Sequence, residues 1–144
     1  MSLSVRVAVG CLLVVAVAAC SGGIPDEAQF TGVAAELWRG SDHCDWDGTH
    51  FVMVRQSLPG ADTTNQDMPD WHMFVRDPDE IPEYSYATEA DPDRLLPEDA
   101  EKLGEDGDGS IELWYSESDP HFLYVVGEGF TEAWVRATDW GLCE

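Results

Sequence analysis

Hydrophobic positions in this chain come in runs of five or six residues, with polar stretches between them. The runs 51–56 (FVMVRQ), 71–76 (WHMFVR), 111–115 (IELWY), 122–126 (FLYVV) and 130–135 (FTEAWV) concentrate β-branched and aromatic side chains and stop at turn residues. Side chains of this kind pack well on a pleated surface, so each run predicts a strand. Ser116-Glu117-Ser118-Asp119-Pro120 separates the third run from the fourth, and Gly127-Glu128-Gly129 the fourth from the fifth. The last three strands are therefore expected to form an antiparallel meander.

The polar segment 77–108 contains prolines at 78, 82, 92 and 97, which bar a central strand over most of its length. Within it, 97–103 predicts a short helix, with Pro97 at the first position, acids in the first turn and Gly104 beyond the end. Residues 26–39 predict a short helix or an irregular lead-in, with Gly32 weakening a helix. The spacing shows no internal repeat and no heptad. The expected fold is α+β or mainly β: a small antiparallel sheet of about five strands with a C-terminal three-strand meander, one short helix near 97–103 and one disulfide.

The N-terminus follows a different pattern. Arg6 supplies a positive charge, and the thirteen residues from Val7 to Ala19 carry none, the layout of a secretory signal. At ~1.5 Å per residue that core reaches only ~20 Å, short of the ~30 Å a membrane span needs. Val17-Ala18-Ala19-Cys20 resembles the bacterial lipobox, which implies a diacylglyceryl group on Cys20 and two or more acyl chains for stable anchoring. The expected organisation is a cleaved signal peptide at 1–19, a flexible tether at 20–30 led by Ser21-Gly22-Gly23, and one globular domain at 31–144. The expected address is the extracytoplasmic face of the cell membrane.

Charge narrows the partners. Seven basic and 29 acidic residues give a formal charge of -22, and loss of Arg6 with the signal makes it -23. Such a surface repels phosphates, which argues against nucleic acid and against membrane contact beyond the anchor. A basic partner or another envelope protein remains compatible with it.

Of the four cysteines, Cys11 leaves with the signal and Cys20 is the lipid site, so Cys44 and Cys143 are expected to pair in the oxidising exterior. Neither has the spacing of a metal ligand. The segment "GSDHCDWDGTHF" (40–51) looks chemical, yet its cysteine is best explained by that disulfide, with Trp46 packing over it. His43 and Trp46 are left as a candidate binding surface. "DGDGSIELW" (106–114) matches the middle of a calcium-binding EF-hand loop but puts Gly104 and Tyr115 at decisive ligand positions. Glu105, Asp106 and Asp108 are therefore only weak cation candidates. Motifs such as H-E-x-x-H, G-x-S-x-G and S-x-x-K are absent, and no cofactor is expected.

Leu37-Trp38-x-Gly40, His43-Cys44-x-Trp46, Arg76-Asp77-Pro78, Leu96-Pro97-x-Asp99-Ala100, Glu112-Leu113-Trp114, Trp134-x-Arg136 and Gly141-x-Cys143 together resemble a group of small actinobacterial lipoproteins of unknown function. The resemblance implies an exported, membrane-anchored, disulfide-closed domain and no activity to carry over. The expected function is a non-catalytic binding or accessory component of the cell envelope. An extracellular Ca2+ or other cation-binding module is the alternative, and a small secreted hydrolase is less favoured.

Overall fold

A computed structural model describes residues 23–39, 48–60 and 68–141. Its nine strands are β1 (Glu27–Thr31), β2 (Ala34–Arg39), β3 (His50–Arg55), β4 (His72–Val75), β5 (Ser85–Tyr86), β6 (Glu101–Asp106), β7 (Ile111–Tyr115), β8 (Phe122–Gly127) and β9 (Phe130–Asp139). Among the described residues a single 3-10 turn spans Pro78–Glu80. The strands pair in the order β4-β3-β2-β1-β6-β7-β8-β9, and β9 returns to pair with β4. The molecule is therefore a closed antiparallel barrel of eight strands, with β5 added alongside β9.

This overturns the expected small sheet of about five strands with a helix. The five hydrophobic runs became β3, β4, β7, β8 and β9, but β1, β2 and β6 lie where helix, lead-in or polar loop was expected. Residues 26–39 form a hairpin about Gly32, whose φ of 89° suits a turn. β1 takes up the end of the stretch expected as tether. Residues 97–103 make a turn and then β6, not a helix. Seven residues cannot offset the cost of helix nucleation, whereas β6 gains partners on both edges, β1 and β7.

An eight-stranded barrel is just wide enough for its own side chains to fill. Leu37, Val52, Val54, Phe74, Leu113, Leu123, Val125 and Trp134 do so here, each 1% exposed or less. Opposite faces of the same strands carry further apolar residues, which explains why β3 and β4 are buried on both sides. Residues 76–100 cover them as an outer strap running from β4 past β9 and β8 to β6. Ile81 packs on Phe51, Met73, Val75, Ala137 and Trp140, and Leu96 packs on Phe122, Tyr124 and Val135. Arg94 pins the strap: it donates to both Asp119 carboxylate oxygens at 2.8 and 2.7 Å and lies 4.4 Å from the Phe122 ring centre.

The topology also reveals an internal repeat that the spacing conceals. β1–β4 and β6–β9 are two four-strand meanders that close on each other through their first strands and their last strands. Glu36-Leu37-Trp38 corresponds to Glu112-Leu113-Trp114, His50-Phe51-Val52 to His121-Phe122-Leu123, and Phe74-Val75-Arg76 to Trp134-Val135-Arg136. Val75 and Val135 are equivalent positions and pair with each other, as a pseudo-twofold axis requires. The amide of Arg76 donates to the His50 carbonyl and that of Arg136 to the His121 carbonyl, each at 2.9 Å. In each half the indole of the Glu-x-Trp tryptophan bonds its own glutamate. Between the β2–β3 and β7–β8 pairings the register differs by two residues, which keeps the same side chains facing inward.

The pseudo-twofold exchanges the two barrel ends, and the ends differ. At the end where β7 finishes and β8 begins, Leu58 is buried against the interior core and the Tyr115 hydroxyl donates to the Pro59 carbonyl at 2.5 Å. Gly60 closes this plug with a φ of 79° and so little space that a Cβ would meet Pro120 at 2.9 Å. The end where β3 and β9 begin carries a pocket instead.

Candidate functional site

The pocket, about 640 Å³ in volume, lies at the rim of this mouth. The end of β2 supplies Arg39, the start of β3 supplies Thr49 and His50, and the end of β4 supplies Arg76 and Asp77. The start of β9 supplies Glu132, while Glu80 and Asp91 come from the strap. The barrel's register thus brings five separate segments to one place.

Two guanidiniums in the wall are already engaged. Arg76 grips Glu132 with two bonds of 2.8 and 2.9 Å. Arg39 donates to the Gly48 carbonyl at 3.0 Å and to Asp26 at 3.4 Å. Among the remaining wall carboxylates, Asp77 caps the 3-10 turn through the Asp79 amide and Asp91 lies 3.6 Å from Arg94.

Deeper in, Thr49 is 7% exposed and His50 is 9% exposed. Thr49 Oγ1 and His50 Nε2 are both buried without a hydrogen-bond partner. Buried polar atoms in native proteins nearly always have partners, so two orphans at one pocket call for an explanation. Burial first, then the nearby Arg76 and Arg39 charges, push the His50 pKa below its ordinary value and favour the neutral ring, against weaker opposing effects of Asp26 and the Pro25 backbone. The ring leans on Trp134 at 6.3 Å between centres.

Cys20, Cys44, Cys143, His43 and Trp46 lie outside the described residues. The described flanks of the two expected disulfide partners meet, since Phe51, seven positions after Cys44, and Trp140, three before Cys143, share one buried cluster. Glu105, Asp106 and Asp108 fall at the β6–β7 turn, where their carboxylates serve local structure. Asp106 accepts from the Ser110 hydroxyl and the Ile111 amide, Asp108 from the Ser110 amide, and Glu105 pairs with Lys102 at 3.3 Å. No group of three or more metal-ligating side chains occurs among the described residues. None of their helices is long and apolar enough to cross a membrane.

Sequence reasoning missed Thr49, His50, Arg39, Arg76 and Glu132 as a set. The available signal was the paired His-Phe and Val-Arg steps of the two halves, which mark equivalent barrel ends. No family model, no curated protein and no solved structure matches this chain.

Proposed function

We propose that this protein is a lipid-anchored, extracytoplasmic binding protein of the cell envelope that holds a small polar ligand at the open mouth of its barrel. One observation carries the reading: two buried polar atoms, Thr49 Oγ1 and His50 Nε2, stand without partners at a pocket, while the pseudo-equivalent end is plugged.

The anchor fits this placement. Ile24 packs on the barrel core and Asp26 pairs with Arg39 at the mouth. Cys20 lies six positions before Asp26, which at full extension is at most ~21 Å. A lipidated Cys20 therefore holds the open end toward the bilayer, and a Cys44–Cys143 disulfide ties the two segments flanking the Phe51–Trp140 cluster. The acidic surface leaves the membrane contact to the lipid and favours basic partners over nucleic acid.

Native mass spectrometry of the protein extracted from its membrane tests the reading. A diacylglyceryl mass on the Cys20 peptide and a co-purifying small molecule, lost on Thr49→Val, are expected. An unlipidated, released protein overturns the anchor. A mouth that takes up no small molecule from extract overturns the pocket.

A further inference from the structure

We propose that two copies of this chain exchange halves, each barrel then being built from β1–β4 of one copy and β6–β9 of the other. The halves pair through the β1–β6 and β4–β9 seams, and a single covalent connection, residues 76–100, joins them. At both seams equivalent residues face each other. Gln29 pairs with Glu36 and Glu105 with Glu112, so Phe30 corresponds to Asp106, and these two pair across the first seam as Val75 and Val135 do across the second. Each half therefore presents edges in register with a second half, whichever chain that half lies on.

Side chains at the seams decide which half fits. Pairing of two first halves would set Arg76 against His72, the position equivalent to Glu132, and lose the bonds of 2.8 and 2.9 Å between Arg76 and Glu132. Pairing of two second halves would set Asp106 directly opposite its own copy, where like charges are destabilising. A first half therefore fits a second half, from its own chain or from another copy. Reciprocal exchange keeps every seam and both Arg76–Glu132 pairs, and it closes as a twofold dimer.

The connection supplies the hinge. Up to Ala87 it lies along the second seam: Ile81 packs on Phe51, Met73 and Val75, and the Ala87 amide donates to the Arg136 carbonyl at 2.9 Å. From Arg94 onward it belongs to the second half, through Asp119 and through Leu96 on Phe122 and Tyr124. Between these anchors Glu89, Ala90, Pro92 and Asp93 are exposed, and Asp91 bonds its own neighbours Asp93 and Arg94. Straightening residues 88–93 carries the second half to a neighbouring barrel with both anchors intact. The same contacts hold monomer and dimer, so chain concentration during folding sets their ratio. Exchange also makes the mouth a joint site, with Arg39, His50 and Arg76 from one copy and Glu132 from the other.

Opposite charge reversals on two full-length chains, kept in detergent, test the exchange. Arg76→Glu alone places two carboxylates together and Glu132→Arg alone two guanidiniums, so each variant is expected to melt about 5 °C below the parent. Refolded together from urea, one of them isotope-labelled, they are expected to form a dimer of mixed mass and regain the parent's melting temperature, because one barrel keeps the native pair and the other holds it with the charges reversed. A variant too weak to fold alone is read the same way, by recovery of circular dichroism on mixing. The parent, refolded at rising concentration, is expected to give a growing share of dimer that persists on dilution, since undoing it requires unfolding. A mixture that stays monomeric and recovers nothing overturns the exchange. So does a mixed dimer that falls apart on dilution with its melting temperature unrecovered, which is surface association. Parent chains that stay monomeric at every refolding concentration overturn it for the natural sequence, whatever the variants do.

Discussion

His50 is where burial and function meet in a single side chain. Its ring is nine-tenths buried and held neutral by desolvation and by two arginines. Unfolding restores an ordinary histidine, which takes up a proton below about pH 6.5. The unfolded state then binds more protons than the native one, so His50 contributes stability above that pH and loses it as the pH falls toward the lowered native value. His50→Phe is expected to flatten the stability profile below about pH 6.5; an unchanged slope in denaturant melts would sink this account. Asp119 shows the opposite balance. Burial opposes its charge, but hydrogen bonds from Arg94 and Tyr124 outweigh it and hold the carboxyl below its ordinary range. Its stabilisation is therefore present at neutral pH and lost as the pH falls below about 3.9. Asp119→Asn is expected to cost about 1.5–3 kcal/mol at neutral pH, the range for a bond to a charged group. The difference from the parent should shrink in acid, where calorimetry can follow it.

At the scale of elements, the seam between β1 and β6 joins the two halves and tolerates no side chain at Gly104. A Cβ there would lie 2.4 Å from the Thr31 carbonyl oxygen and 2.7 Å from Val33. Gly104→Ala is expected to cost about 1–3 kcal/mol, as overpacking does. Hydrogen exchange should quicken in β1 and β6 more than in β3, and a uniform change across all strands would count against a local seam. The strands on either side of that seam were the ones hardest to read. β3, β4, β7, β8 and β9 declare themselves because both faces or one full face are apolar. β6, with the sequence EKLGED, is polar and interrupted by glycine, and becomes a strand because two neighbours supply its ladder. The repeat was concealed for a similar reason. Trp38 and His50 lie twelve positions apart, while Trp114 and His121 lie seven apart, so loops of different length remove any fixed period and only pairing realigns the halves.

For the whole molecule, all four tyrosines are drawn into packed positions. Burial pushes Tyr84, Tyr115 and Tyr124 up to about 12, opposed at Tyr84 by the bond to the Gly141 carbonyl and at Tyr115 by the Arg136 charge and reinforced at Tyr124 by the Asp119 carboxylate, and burial pushes Tyr86 upward as well. Unfolded tyrosines ionise near pH 10. The native state thus keeps protons that the unfolded state releases, and stability falls as the pH rises above about 10. Tyrosinate ultraviolet absorbance is expected to stay flat beyond that pH and then to appear in one step together with loss of the near-ultraviolet circular dichroism. A gradual rise centred near pH 10 with the fold intact would show that these rings are not buried.

The sequence by itself determined which residues favour strands, the surplus of acid and the lipobox resemblance at Cys20, because these are properties of local composition and order. It also placed the turns that join β7, β8 and β9. Only the tertiary structure decided that the strands close into a barrel, that two repeats meet at Val75 and Val135, and that Thr49 and His50 reach one pocket with Glu80. Closure depends on hydrogen bonds between strands far apart in the chain. Which polar atoms end up buried without a partner depends on that closure, and neither is written in the spacing of residues along the chain.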